Sequence, residues 1–168
     1  MDKFMRWLLL ELRNFSPFIL AILLILIVRL PFRSDGLGMV IPHVSLIFVY
    51  YWTIHKPGLL PLWAVFVLGL LEDLLNGGTV GASSLILVLL ASFLPDQRRF
   101  FVNRPFVEIW MGFMVISIGT FILFWLFSSF HVGFMLPISA SLTQMLVTIA
   151  MYPILSWVFG RYERLVLR

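Results

Sequence analysis

The chain has 168 residues, of which 61% are hydrophobic and 12% are charged. Soluble domains carry about 45–50% apolar and about 25% charged residues, so a water-soluble monomer is excluded. The formal net charge is +4, and the absence of cysteine excludes disulfide, iron–sulfur and thiol chemistry.

Bilayer-spanning helices need roughly 20 apolar residues each, so the length accommodates six spans and leaves no room for a second, extramembrane domain. Residues 1–14, with Lys3, Arg6 and Arg13, either form an interfacial helix or extend the first span. No small-x-small cleavage site follows, so the first span is expected to remain uncleaved. That span is predicted over Phe15–Leu30, with Ser16-Pro17 as its start signal. The second is predicted over Leu37–Ile54, with Pro42 near its start, and the third over Leu59–Leu75. The fourth, Val80–Leu94, is only about 22 Å long at 1.5 Å per residue, short for a hydrocarbon core of about 30 Å. The fifth and sixth, Pro105–Phe130 and Gly133–Phe159, are long enough to tilt or protrude. Pro153 crowds the carbonyl of Ile149 and should kink the sixth span there.

The basic residues fix an orientation. Lys3, Arg6, Arg13, Lys56, Arg98, Arg99, Arg104, Arg161, Arg164 and Arg168 fall on one side, and only Arg29 and Arg33 on the other. The positive-inside rule places both termini in the cytoplasm.

No catalytic pattern is recognisable. The sequence lacks H-E-x-x-H, a Walker loop, G-x-S-x-G and G-x-G-x-x-G, and His43, His55 and His131 share no helical spacing. Catalytic, cofactor and metal residues are therefore assigned as none. Gln144, Thr143 and Thr148 are the most polar groups deep in the last spans, and Gln144 reads as an interhelical hydrogen bond or as a substrate contact. Glu72-Asp73 stands out, because two carboxylates near a helix C-terminus oppose the helix dipole. Either Arg29 or Arg33 pairs with one of them at the outer rim, or both acids are solvated. Asn76-Gly77-Gly78-Thr79-Val80-Gly81 reads as a helix stop and tight turn, with Thr79 as a cap for the next helix. Gly69, four residues before Asp73, permits close helix approach. Tyr50, Tyr51 and Trp52 read as interfacial anchors. Phe100, Phe101 and Phe106 with Arg98, Arg99 and Arg104 read as a cytoplasmic stretch on anionic lipid, in preference to nucleic acid.

Positions 42 to 81 give Pro42, Tyr51, Trp52, Pro57, Phe66, Gly69, Asp73, Gly77, Thr79 and Gly81, spaced P-x8-Y-W-x4-P-x8-F-x2-G-x3-D-x3-G-x-T-x-G. This string, in a chain of this length and predicted topology, resembles the rod shape-determining protein MreD family. Glu72 stands where that family more usually has an apolar residue. The resemblance implies an all-α, six-span protein of the bacterial inner membrane, similar in fold to the substrate-binding subunits of energy-coupling-factor transporters, with an outward-facing cavity. It implies a non-enzymatic component of the elongation (Rod) complex, which maintains rod shape and lateral peptidoglycan synthesis, with no cofactor. The implied partners are the transmembrane span and periplasmic stem of MreC, with MreB and the elongation synthase and transpeptidase beyond it, and membrane lipids. A homodimer is permitted. Arg29, Arg33, Asp73, Asn76 and Thr79 are the candidate partner-binding or structural residues on the outer side. The alternative is a substrate-binding membrane subunit of a vitamin transporter. Those subunits dock through Ala-x-x-x-Ala on the first span, where this chain has only Ala21.

Overall fold

The structure, a computed structural model, describes residues 16–28, 41–76, 80–101, 104–133 and 138–166. These form helices joined by short connections: α1 (Ser16–Val28), α2 (Val44–His55), a 3-10 turn (Pro57–Leu59), α3 (Leu62–Asn76), α4 (Ala82–Phe101), α5 (Phe106–Val132) and α6 (Ile138–Val166). Two of them, α5 and α6, are long and apolar enough to cross a membrane.

The core is built around α2. Every residue from Val44 to Ile54 is buried, because α2 packs against α3, α4 and α6 together. A helix of 12 residues rises only about 18 Å, and its burial on every side makes it the centre of the bundle. It starts at Val44, later than the predicted Leu37. Pro42 lacks a donor and biases Ile41 away from helical geometry, so regular helix begins only after the proline. Of the predicted second span, residues 37–40 lie outside the described residues.

The aromatic run of α2 corrects an expectation. Tyr50, Tyr51 and Trp52 are at most 4% exposed and form no interfacial belt. Tyr50 packs against Phe113 and Tyr152 at ring distances of 5.1 and 5.7 Å, and its hydroxyl donates to the Ile109 carbonyl at 2.8 Å. Tyr51 and Trp52 meet Phe159 and Tyr162 of α6. The central position of α2 turns all of its faces inward, so no side is left for head groups.

The α4 helix runs on past its expected end at Leu94, through Pro95 to Phe101. Proline removes one hydrogen bond from the helix, and tertiary contacts hold the following turn in its place. Arg98 Nε donates to the Ile54 carbonyl at 2.8 Å, capping the end of α2. The Phe101 ring packs on Tyr50 and fills the space left by Gly112 of α5. The predicted lipid-contacting stretch is thereby divided. Phe101 and Arg98 serve the core, and Phe106 stacks on Tyr152, while Arg99 lies over the exposed ring of Phe100 at 5.3 Å.

In α6, Pro153 has no N–H to give the Ile149 carbonyl, and the indole N–H of Trp110 on α5 donates to it at 3.2 Å. An apolar surrounding makes any unpaired backbone group costly, and a neighbouring side chain supplies the missing donor. The outer faces stay apolar: Val115 is 70% exposed and Phe130 84%. On α1, Ala21 and Ile25 face the core, and Phe18 meets Trp63 of α3 edge to face.

The α3–α4 hairpin is the tightest junction. A Cβ built on Gly69 would lie 2.5 Å from Ser84 Cα and 2.6 Å from its backbone nitrogen. The two backbones therefore approach as only glycine allows, and the Ser84 hydroxyl donates to the Phe66 carbonyl at 3.2 Å. Gly69→Ala is expected to lower the thermal unfolding midpoint in detergent by the equivalent of about 1–3 kcal/mol. Gly58→Ala, with no atom within 4 Å of its new Cβ, is the control and should stay within about 0.5 kcal/mol. Equal midpoints for the two variants would contradict the close approach.

Candidate functional site

The polar residues of the chain converge where α2 begins and α3 ends. Ile41 to His43 are non-helical and lead into α2, and the Ile41 carbonyl and His43 N–H each find a side chain on α6. Gln144 Nε2 of α6 donates to the Ile41 carbonyl at 2.9 Å. The His43 backbone N–H donates to Thr148 Oγ1 at 3.1 Å, and that hydroxyl in turn donates to the Gln144 carbonyl at 2.7 Å. Of its two readings, Gln144 comes nearer the structural hydrogen bond, made here to the non-helical entry of α2 and not to a helix. His43 was not singled out in the sequence, because its partners lie far along the chain.

Glu72, on α3, is 1% exposed and faces this break. His43 Nδ1 lies 2.9 Å from Glu72 Oε1, and the Ser45 hydroxyl donates to Oε2. The His43 ring stacks on Phe124 at 4.8 Å and meets Phe121 edge to face at 5.3 Å. A buried carboxylate is tolerated only when paired and hydrogen-bonded, and Glu72 is both. The order of groups is not that of a nucleophile relay. The Ser45 hydroxyl is bonded to the glutamate and not to the histidine, so the serine–histidine–carboxylate order of that relay is not formed here. Among the described residues, no three His, Asp or Glu converge as a metal ion would require.

Asp73 faces the other way. It is 4% exposed, and its Oδ2 accepts from the Gly81 N–H at 2.7 Å and from the Ser83 N–H at 3.1 Å. Those donors are orphaned at the start of α4, where a carboxylate is also favoured by the helix dipole. Gly81 takes φ +96°, which only glycine adopts at no cost. The compensation for Asp73 is therefore the N-terminus of the following helix. The expected cap Thr79 lies outside the described residues, as do Gly77, Arg29 and Arg33 with their proposed ion pair. The solvated reading of the two acids is overturned by their burial, which follows from α3 packing its carboxylate face against α2 and α4.

The remaining motif residues have structural places. Pro42 sets the break before α2, Pro57 starts the 3-10 turn, and Tyr51 and Trp52 fill the core. Phe66 is exposed, but its carbonyl receives the Ser84 hydroxyl. Asn76 is exposed and borders a cavity of about 220 Å³ whose walls include His43, Asp73, Ser83 and Gln144.

Removing one member of the buried pair leaves the other uncompensated. Glu72→Ala is expected to cost about 3–5 kcal/mol of stability, measured by thermal unfolding in detergent. The double variant His43→Phe with Glu72→Leu should recover most of that loss, because both polar groups are then gone. A double variant no more stable than the single one would contradict the pairing. Asp73→Asn should cost about 1–2 kcal/mol through the weakened cap.

Neither the curated proteins nor the solved structures contain a match to the chain. The family model for the rod shape-determining protein MreD matches residues 2–162 of the 168. The proteins so described are shape-determining components and not a known enzyme family. On that match over nearly the whole length, joined to an all-helical fold with exposed apolar faces, the chain belongs to the MreD family of membrane proteins that serve in rod shape determination.

Proposed function

We propose that the chain is a non-enzymatic, multi-pass component of the bacterial inner membrane that acts in the elongation complex by binding MreC. It crosses the membrane six times with both termini in the cytoplasm, and it supports rod shape by holding partners of lateral peptidoglycan synthesis together. The observation that carries this reading is the family match over residues 2–162. The apolar faces of α1, α3 and α5 support it. Ile19, Leu23 and Ile27 line the outer face of α1, and Trp63 and Phe66 are about half exposed on α3. In lipid there is no hydrophobic drive between helices, so a single partner span must dock by shape fit and close packing. Large side chains on such a face offer the ridges for that fit.

The charge distribution supports the orientation, with ten basic residues predicted inside and two outside. At the predicted inner end, Lys56 pairs with Glu163 at 3.4 Å and the Tyr51 hydroxyl donates to the same carboxylate at 3.3 Å. This contact ties α6 to the end of α2, and so gives a cytoplasmic partner a defined surface.

Loss of the gene from a rod-shaped host is expected to round the cells, and expression from a plasmid to restore rods. Unchanged rods after deletion would contradict the reading. Co-purification with the full-length single-span partner, after scanning the exposed residues of each helix with tryptophan, should weaken at positions on one face only. Retention of the partner in every variant would rule out docking through a helix face.

A further inference from the structure

A cavity of about 360 Å³ lies between the end of α2, the start of α5 and the Pro153 region of α6. Its described walls include five rings, those of Tyr51, His55, Phe106, Tyr152 and Trp157. Tyr51 stacks on His55 at 4.1 Å, and Phe106 on Tyr152 at 6.1 Å. The Ser156 hydroxyl, also in the wall, donates to the Pro153 carbonyl at 3.0 Å. His55 is the last residue of α2 and Phe106 the first of α5, so neither helix carries the wall further. Phe106 and Trp157 are exposed, and the cavity is open beside them.

Basic residues stand next along the chain from these walls. Lys56 follows His55, Arg104 lies two residues before Phe106, and the exposed Arg161 is one turn beyond Trp157 on the same face of α6. Lys56 and the Tyr51 hydroxyl both meet Glu163 of α6, which puts the C-terminal turns of that helix at the same end of the bundle. Glu163 is thereby matched, as is Glu108, 3.4 Å from Arg104, and Arg161 adds positive charge beyond these pairs. The sign holds over the whole sequence, where ten basic residues are predicted on this side against five acidic ones, Asp2, Glu11, Asp96, Glu108 and Glu163. The α5 helix begins without a side-chain cap, so the positive end of its dipole meets the same opening. At the end of α2, the carbonyls of Tyr51, Trp52 and Ile54 are already taken by the His55 ring, the Lys56 N–H and Arg98. An apolar body fits the rings, and an anion fits the opening. A free anion would leave the rings uncovered, and a zwitterionic head would set its own ammonium group against the same positive field.

We propose that this cavity binds an anionic phospholipid from the leaflet on the basic side, with the phosphate against Arg161 and the start of α5 and the glycerol-ester region among the rings of Phe106, Tyr152 and Trp157. The bound lipid would tie the first turn of α5 to α6 beside Pro153, at the end of the bundle where Lys56 and Glu163 tie α2 to α6. This goes beyond the partner-binding reading and is tested on the protein without any partner, so the two fail separately.

The test is native mass spectrometry of the full-length protein in detergent, with phosphatidylglycerol, phosphatidylethanolamine, diacylglycerol or glycerol 3-phosphate added in turn. Phosphatidylglycerol should be retained about tenfold more tightly than phosphatidylethanolamine or diacylglycerol, the factor expected for one charge-assisted contact. Glycerol 3-phosphate should bind no better than the background. Arg161→Gln should lower phosphatidylglycerol retention about tenfold, and Trp157→Ala about fivefold. Arg99→Gln removes the same charge from the end of α4, outside the described cavity wall, and should change retention by less than about twofold. All three side chains are exposed, so the variants are expected to fold. Equal retention of phosphatidylglycerol and phosphatidylethanolamine, or tight binding of glycerol 3-phosphate alone, would overturn the proposal. Equal losses in Arg161→Gln and Arg99→Gln would mean attraction to net charge without a site, and would overturn it as well. So would full retention by Trp157→Ala.

Discussion

A polypeptide in hydrocarbon cannot leave its backbone polar groups unpaired, and the non-helical entry to α2 at Ile41–His43 is where this chain meets that constraint most directly. The central helix starts there, in the interior, with carbonyl and N–H groups that no helix bond can satisfy. Gln144 and Thr148 of α6 take them up, and Glu72 of α3 takes up the His43 ring and the Ser45 hydroxyl. Two helices distant in sequence are thereby fixed around one end of a third. Apolar packing alone would leave them freer to slide, because lipid tails compete equally for apolar faces. The same logic recurs at Ile149, freed by Pro153 and met by Trp110, and at the start of α4, met by Asp73.

Adjacent carboxylates on one helix therefore have separate duties. Glu72 closes the α2 break, and Asp73 closes the α3–α4 turn, with Gly69 one turn earlier admitting the Ser84 backbone. The family motif, from Pro42 to Gly81, maps largely onto this junction, so it describes how the hairpin is built. A rigid hairpin presenting apolar faces is what a scaffold for other membrane helices requires, and it needs no reacting group. Membership of the MreD family and the chemistry of the junction point the same way.

Features governed by local rules could be read from the sequence. Gly69 and Gly81 follow from the steric properties of single residues and have their expected consequences, and at Pro153 the missing donor leaves the Ile149 carbonyl to Trp110. The polar character of Gln144 was enough to suggest a bond to another helix, though not to the Ile41 carbonyl. Features set by tertiary placement could not be read. Tyr50, Tyr51 and Trp52 have the composition of an interfacial belt, and only the encirclement of α2 shows that they are core. His43 and Glu72 are 29 positions apart, so no spacing rule links them. The run of α4 beyond Pro95 depends on Arg98 and Phe101 reaching α2 and α5, and nothing in the local pattern encodes that reach.

The most direct measurement of the interior break is amide hydrogen exchange on the intact protein in detergent or nanodiscs. The His43 and Ser83 amides, held by Thr148 and Asp73, should be among the slowest to exchange, and Gln144→Leu should accelerate exchange at residues 41–45 far more than at 81–85. Rapid exchange at His43 in the unaltered protein, or uniform acceleration across both segments in the variant, would contradict a polar junction that holds the bundle together at this point.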